Sequence, residues 1–395
     1  MAVPLTRWFA RSGGHSLRHA IAALGGLSIP WLVVRTSSME VWGGMVTFLI
    51  LVQLSAHVAQ WGSRDLLQRA FHERPGDVVE LWRTSLFTRS PIWLSVLALL
   101  CLLPSPDRPG MLLWSGALIL ASGLEPLVIR NKHFQQAARA DILGLLAQVA
   151  LLLSAGTVDG TVVVRSFAFH QAVRAVGLWL ACGRPSLSWK GLRPEPALHL
   201  RAALPFVGVG LAGLLATRID LYVADAVLPV EQAGEYQILA ALFVQFQILP
   251  GLLAIPMTRE LYRLDDHRLL AGARRLGVLG LLLTAPFLIA LHLLLPPLFG
   301  IGATWTVLLA GALAAWPSYV YVPCYILLYR EHQERYAMVL CFIAAASIAL
   351  CAWLLLPGLG LAGGLLGSAL GQWIILVGVL ARTRGLLNDT QRTRP

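Results

Sequence analysis

Ten polar side chains lie in or at the edges of long apolar runs: Gln53, His57, Glu125, Arg165, His170, Arg174, Arg218, Asp220, Gln245 and Arg35. Such groups are costly in apolar surroundings and are kept for function or with a partner. A guanidinium presents a planar fork of donors that fits anions. Arg165 and Arg174 are nine residues apart, so at 100° per residue they point to opposite faces of a straight helix. His170 sits one turn before Arg174 on its face. Asp220 could carry a proton or bind Na⁺. It could equally neutralise an arginine from another helix, because Arg218, two positions away, points elsewhere. Glu125 could do the same work as Asp220, or pair with Arg174 or Arg130. Arg35 and Arg218 could bind an anion or snorkel to a membrane interface.

The composition says what must hold these groups. Of 395 residues, 57% are hydrophobic and only 13% charged. A soluble domain carries about a quarter charged residues, so a soluble globular enzyme and a disordered chain are both excluded. A bilayer span takes about 20 apolar residues. Twelve candidate spans fall near 16–34, 41–61, 90–104, 111–129, 141–156, 161–182, 202–223, 235–256, 275–295, 303–328, 336–356 and 360–381. The fold class expected is an all-α polytopic membrane protein. Its domains are an N-terminal six-helix lobe over 1–182, a cytoplasmic linker over 183–201 and a C-terminal six-helix lobe over 202–395.

The net charge of +11 comes from topology. Of 31 Lys and Arg residues, 26 lie in the termini and loops of one side and their edges. Arg35 and Arg108 are on the other side, and Arg165, Arg174 and Arg218 are within spans. Positive residues mark cytoplasmic loops, so both termini are expected in the cytoplasm. Spread around a rim, they do not form a nucleic-acid module, and no nucleic-acid partner is expected. The cysteines form no CxxC pair and read as small buried hydrophobes. No cleavable leader is read at the N-terminus.

The halves resemble each other. The spacing Arg18 to Arg35 equals that of Arg201 to Arg218, and Arg130 to Gln171 nearly equals Arg330 to Gln372. Arg64-Asp65-Leu66 closes the second span and Arg259-Glu260-Leu261 the eighth. Duplication of a six-span unit keeps both copies in one orientation. The halves are then related by a pseudo-twofold axis along the membrane normal, with a site at their interface, which is a transporter design.

At the seventh and eighth spans the chain reads Thr217-Arg218-Ile219-Asp220-Leu221-Tyr222-Val223, then Gly234-Glu235-Tyr236, with Leu249-Pro250 and Ile255-Pro256 at the far end. Together with Pro357-Gly358-Leu359-Gly360-Leu361-Ala362-Gly363 before the last span, this resembles the oligosaccharide and polysaccharide flippases of the multidrug/oligosaccharidyl-lipid/polysaccharide superfamily. The chain departs from the lipid II flippases of that superfamily in having no room for their usual fourteen spans.

The resemblance implies a flippase of the O-antigen type, a multi-pass protein of the bacterial inner membrane acting in polysaccharide or lipopolysaccharide biosynthesis. It would carry an undecaprenyl-diphosphate-linked oligosaccharide by alternating access while the acyl tail stays among membrane lipids. Arg218, Arg174, Arg35 and Arg165 are then candidates for the diphosphate, and His57, Gln53, His170 and Gln245 for sugar hydroxyls or for bonds between helices. Asp220 and Glu125 are the candidates for H⁺ or Na⁺ coupling. A monomer without metal or cofactor is expected, and not an enzyme. A cation-coupled multidrug exporter of the same superfamily is the alternative. A membrane polysaccharide polymerase or ligase would need a large outer loop with catalytic residues, and none is seen.

Two glycine patterns, Gly208-x-Gly210-x-x-Gly213 and Gly358-x-Gly360-x-x-Gly363, match a dinucleotide fingerprint. That motif works only between a strand and a helix, and both lie in or beside apolar spans. Gly363, Gly367 and Gly371 recur every four residues and read as a smooth stripe for close helix packing. No phosphate-binding loop of the Walker type is present, which leaves an ion gradient as the energy source.

Overall fold

The computed structural model describes residue 21 and residues 23–103, 105–186, 188, 196–254, 266–331 and 333–392. Arg18, Arg259-Glu260-Leu261, Ile255-Pro256 and residues 187 and 189–195 of the 183–201 linker lie outside the described residues.

Every regular element described is a helix. In chain order they are α1 (Ala23–Thr36), α2 (Met39–Gln60), α3 (Ser63–Glu73), α4 (Val78–Leu102), α5 (Arg108–Asn131), α6 (Phe134–Ser154) and α7 (Gly160–Ala181). Then follow α8 (Pro196–Val227), α9 (Val230–Ala254), α10 (Asp266–Phe299), α11 (Trp305–Ala315), α12 (Ser318–Arg330), α13 (Glu334–Leu359) and α14 (Leu361–Arg392). With no water to satisfy a bare peptide group, helices are one of only two spanning solutions. Starts are marked by side chains that take up orphan N–H groups: Ser38, Asp159 and Thr304 each accept from the backbone N–H three residues on.

Among the described residues, nine helical stretches are long and apolar enough to cross a membrane, with α11 and α12 together forming one of them. This is a multi-pass membrane protein. The other three expected spans fall on α1, which is short, and on α7 and α9, which carry Arg165, His170 and Arg174, and Glu231 and Glu235. Leu282, Leu293, Leu350 and Leu354 each stand more than 60% exposed. In water such side chains would drive association; against hydrocarbon they form the outer wall.

The described residues pack as two compact units, one running up to Leu211 and one from Ala212 onward. The first is centred on Trp82, Leu86, Leu124, Val128 and Leu178. The second is centred on Cys324, Leu328, Ala344, Ile375 and Val379.

One boundary departs from expectation. The stretch 62–89, expected as a loop, holds the amphipathic helix α3 and the first three turns of α4. Leu67 and Phe71 of α3 bury their side chains with Trp82 and Leu86 of α4, so tertiary packing extends a helix whose sequence is too polar to read as a span. Arg89, counted with the charged loop, is fully buried. It donates to Ser85 O and to Gln60 O at the end of α2, and lies over the Trp93 ring. The C-terminal carbonyls of α2 are the partner for its charge.

The predicted glycine stripe packs as expected. A Cβ on Gly363, Gly367 or Gly371 would collide with Leu355, Ala352 or Ile348 of α13. The two dinucleotide-like patterns sit in and beside helices, with no strand among the described residues.

The repeat is visible inside each unit. The turn before α6 closes with His133 N–H on Val128 O, and the turn before α13 with Gln333 N–H on Leu328 O, 200 positions on. Gly177 faces Ala140, and Gly378 faces Leu340. These are the shifts, 200 and 201, that separate Arg130 from Arg330 and Gln171 from Gln372.

Candidate functional site

In the C-terminal unit the polar centre is Asp220 on α8, 5% exposed. Its Oδ2 accepts from the Tyr236 hydroxyl of α9 and from the Ser368 hydroxyl of α14, both at 2.6 Å. Its Oδ1 accepts from the Leu221 N–H at 2.9 Å. One turn along α14, Gln372 donates to Ala216 O and accepts from the Tyr321 hydroxyl, which in turn accepts from Gln247. Tyr236 comes this close because Gly364 has no side chain; a Cβ there would meet its ring at 2.6 Å.

A helix break borders this cluster. Pro317 has no N–H to offer Leu313 O, and the Trp373 indole donates to that carbonyl instead. Ala314 and Ala315 at the break, with Asp220, Gln247, Ser368 and Gln372, line a small cavity of about 20 Å³. That is room for one or two water molecules. A carboxylate with neutral donors beside such a cavity can exchange a proton or hold a small cation. Among the described residues no Arg or Lys forms an ion pair with it, so the expected alternative of an arginine partner from another helix is not the arrangement found.

In the N-terminal unit the polar centre is ionic. Arg174 of α7 donates through Nη2 to Glu125 of α5 at 2.9 Å and through Nε to Asp141 of α6 at 2.7 Å. Its Nη1 donates to Gln171 at 3.3 Å. The three charged side chains are only 14 to 18% exposed. On the same face, the His170 Nδ1 lies 2.7 Å from Gln148 Oε1, and Gln148 donates to Ser166. So Arg174 and Glu125 are partners, the pairing weighed for Glu125 beside ion coupling, and Asp141 joins them as a second carboxylate.

Arg165 points away from this cluster, as the helical spacing requires, and donates to Asp107 before α5 at 2.8 Å with its own side chain 63% exposed. Arg218 is half-buried and forms no hydrogen bond or ion pair among the described residues. Arg35 and Gln53 are exposed, and Gln245 is half-buried. The His57 ring packs where a Cβ on Gly210 would sit.

Sequence reasoning passed over Asp141, Ser368, Tyr321, Gln247 and the role of Tyr236. Tyr236 had a signal, being the tyrosine of Gly234-Glu235-Tyr236, and Gln372 had one in the repeat. Asp141 opens the apolar run of α6, where its charge reads as a boundary.

No family model matches the sequence, and no curated protein does. Solved structures do match. The lipid II flippase MurJ in an inward closed conformation superposes with a TM-score of 0.70 at 13% identity, over 93% of this chain and 87% of that one. A MATE in complex with MaL6 gives 0.65 at 13% identity, over 98% and 97%. An outward-facing multidrug resistance MATE family transporter of the MOP superfamily gives 0.64 at 13% identity, over 98% and 97%. The chain has the fold these transporters share.

Proposed function

We propose that this protein is a flippase moving a lipid-linked oligosaccharide across the bacterial inner membrane by alternating access, with both termini in the cytoplasm, as a monomer of two six-helix lobes joined at 183–201. The observation that carries the reading is the sorting of its arginines. Arg165 and Arg174 are committed to carboxylates, and Arg89 to carbonyls. Arg218 alone of the three arginines expected within spans forms no ion pair among the described residues. A guanidinium that forms no ion pair among the described residues is the group a diphosphate needs. Asp220, buried on the same helix with neutral donors, is the coupling carboxylate for H⁺ or Na⁺.

In a deletion strain, lipid-linked intermediates accumulate in the cytoplasmic leaflet. Arg218→Ala inserts normally but restores less than a tenth of the surface glycan, while Arg218→Lys restores part. Full restoration by Arg218→Ala removes Arg218 from the substrate site. The Asp220 cluster also favours a second reading, a cation-coupled exporter, since a buried carboxylate suits a cationic drug. Drug sensitivity without any glycan defect selects that reading.

A further inference from the structure

The repeat supplies a control for the ionic triad within the same chain. A shift of 200 carries Glu125 to Tyr325 and Asp141 to Cys341, and the shift of 201 that relates α7 to α14 carries Arg174 to Ile375. These three fall in one apolar cluster. The Tyr325 hydroxyl lies 3.3 Å from Cys341 Sγ, and both side chains pack against the buried cluster that contains Ile375. The same convergence of three helices is thus built twice, once from two carboxylates and a guanidinium, once from a phenol, a thiol and an aliphatic chain. The neutral copy shows that this crossing closes without charge. A buried ion pair adds little stability over well-packed apolar groups, and its best-attested use is to specify one arrangement over another. The triad is placed for that use. Its members sit on three successive helices, at Glu125 near the end of α5, Asp141 near the start of α6 and Arg174 near the end of α7. Each keeps some contact with solvent. Strong short bonds that are not needed to close the crossing suit a contact that is made in one state and broken in another.

We propose that Glu125–Arg174–Asp141 is a conformational latch of the N-terminal unit, closed in this structure and opened during transport, for which the C-terminal unit has no counterpart. The proposal rests on the chain being a transporter, not on which substrate it carries. The test replaces the triad by the residues of its neutral twin: Glu125→Tyr, Asp141→Cys and Arg174→Ile together. The triple variant inserts in the membrane at wild-type level and loses at least tenfold in transport. Wild-type transport by that variant overturns the latch. A second variant does not depend on folding without charge. In a background free of the five native cysteines and with the triad intact, Asn131→Cys at the end of α5 and Leu180→Cys at the end of α7 are joined by a short bifunctional thiol reagent, and transport falls at least tenfold against the same variant left unlinked. Unchanged transport by the linked protein overturns the latch. A substrate-independent readout separates this from the flippase reading. Spin labels on exposed Asn131 of α5 and exposed Leu180 of α7 report two distance populations in wild-type proteoliposomes and one in the triple variant. A single population in the wild type overturns the latch. Two populations, with neither a lipid-linked oligosaccharide nor a cationic dye transported, leave the latch standing and remove the proposed function.

Discussion

Glu125, Asp141 and Arg174 in the N-terminal unit, and Tyr325, Cys341 and Ile375 in the C-terminal unit, occupy the same node of a duplicated helix arrangement. One node is held by bonds of 2.7 and 2.9 Å between charges, the other by apolar contact and one weak hydroxyl–thiol contact. The comparison separates what the crossing needs from what it tolerates. It needs close backbone approach, and both units provide that, by opposite choices at one position. In the first unit Gly144 lies against the His170 carbonyl. In the second the glycine is on the other helix, Gly371, against Ile348 and the Ala344 carbonyl. It tolerates any chemistry that fills the node. The charged chemistry of the second unit sits elsewhere, at Asp220, where neutral hydroxyls hold a carboxylate without a cation in an ion pair.

This contrast can be broken experimentally, and the largest effect is expected where two carboxylates lose the guanidinium between them. Arg174→Ala leaves two carboxylates facing each other and costs about 3–5 kcal/mol. Thermal unfolding in detergent reads this as a large drop in midpoint, and the neutral triple replacement recovers most of it. An unchanged midpoint for Arg174→Ala would mean that the triad is solvated rather than buried. Next comes Tyr236→Phe, which removes one of two hydroxyl donors to Asp220 and costs about 1.5–3 kcal/mol; Asp220→Asn in the same background should then add little, since the two share one interaction. A comparable or smaller effect is expected of Gly371→Ala, whose Cβ would lie 2.2 Å from Ile348 Cγ1. Overpacking there costs about 1–3 kcal/mol, whereas Gly116→Ala, with nothing within 4 Å, should leave the midpoint unmoved. Smallest is Arg165→Ala. Its pair with Asp107 is mostly solvent-exposed on the arginine side, and Asp107 keeps the favourable end of the α5 dipole. The expected loss is about 0.2–1 kcal/mol, and a loss as large as that of Arg174→Ala would remove the distinction between the two arginines of α7.

Much of the architecture was legible because bilayer physics writes it in coarse strokes. A run of about 20 apolar residues has few alternatives to a spanning helix, and the Gly363, Gly367 and Gly371 stripe announced its close contact by spacing alone. The register of the duplication was also present, in Arg130, Gln171, Arg330 and Gln372. What misled was polarity at a helix end. Arg89 and the turns before it looked like loop, because the sequence does not say that α2 will offer its terminal carbonyls nearby.

The sequence by itself determined the all-helical membrane class, the positions of its apolar runs, the opposed faces of Arg165 and Arg174, and the short set of charges worth asking about. Each follows from local periodicity or from the cost of charge in hydrocarbon, which depend on neighbours along the chain. Only the tertiary structure decided which of those charges are partners. Glu125, Asp141 and Arg174 lie on three helices, and Asp220, Tyr236 and Ser368 on three others. Pairing depends on distances of 2.6–2.9 Å between side chains that lie as many as 148 positions apart in sequence. No spacing rule reaches that far, because the helices between are free to cross at any register until packing fixes one.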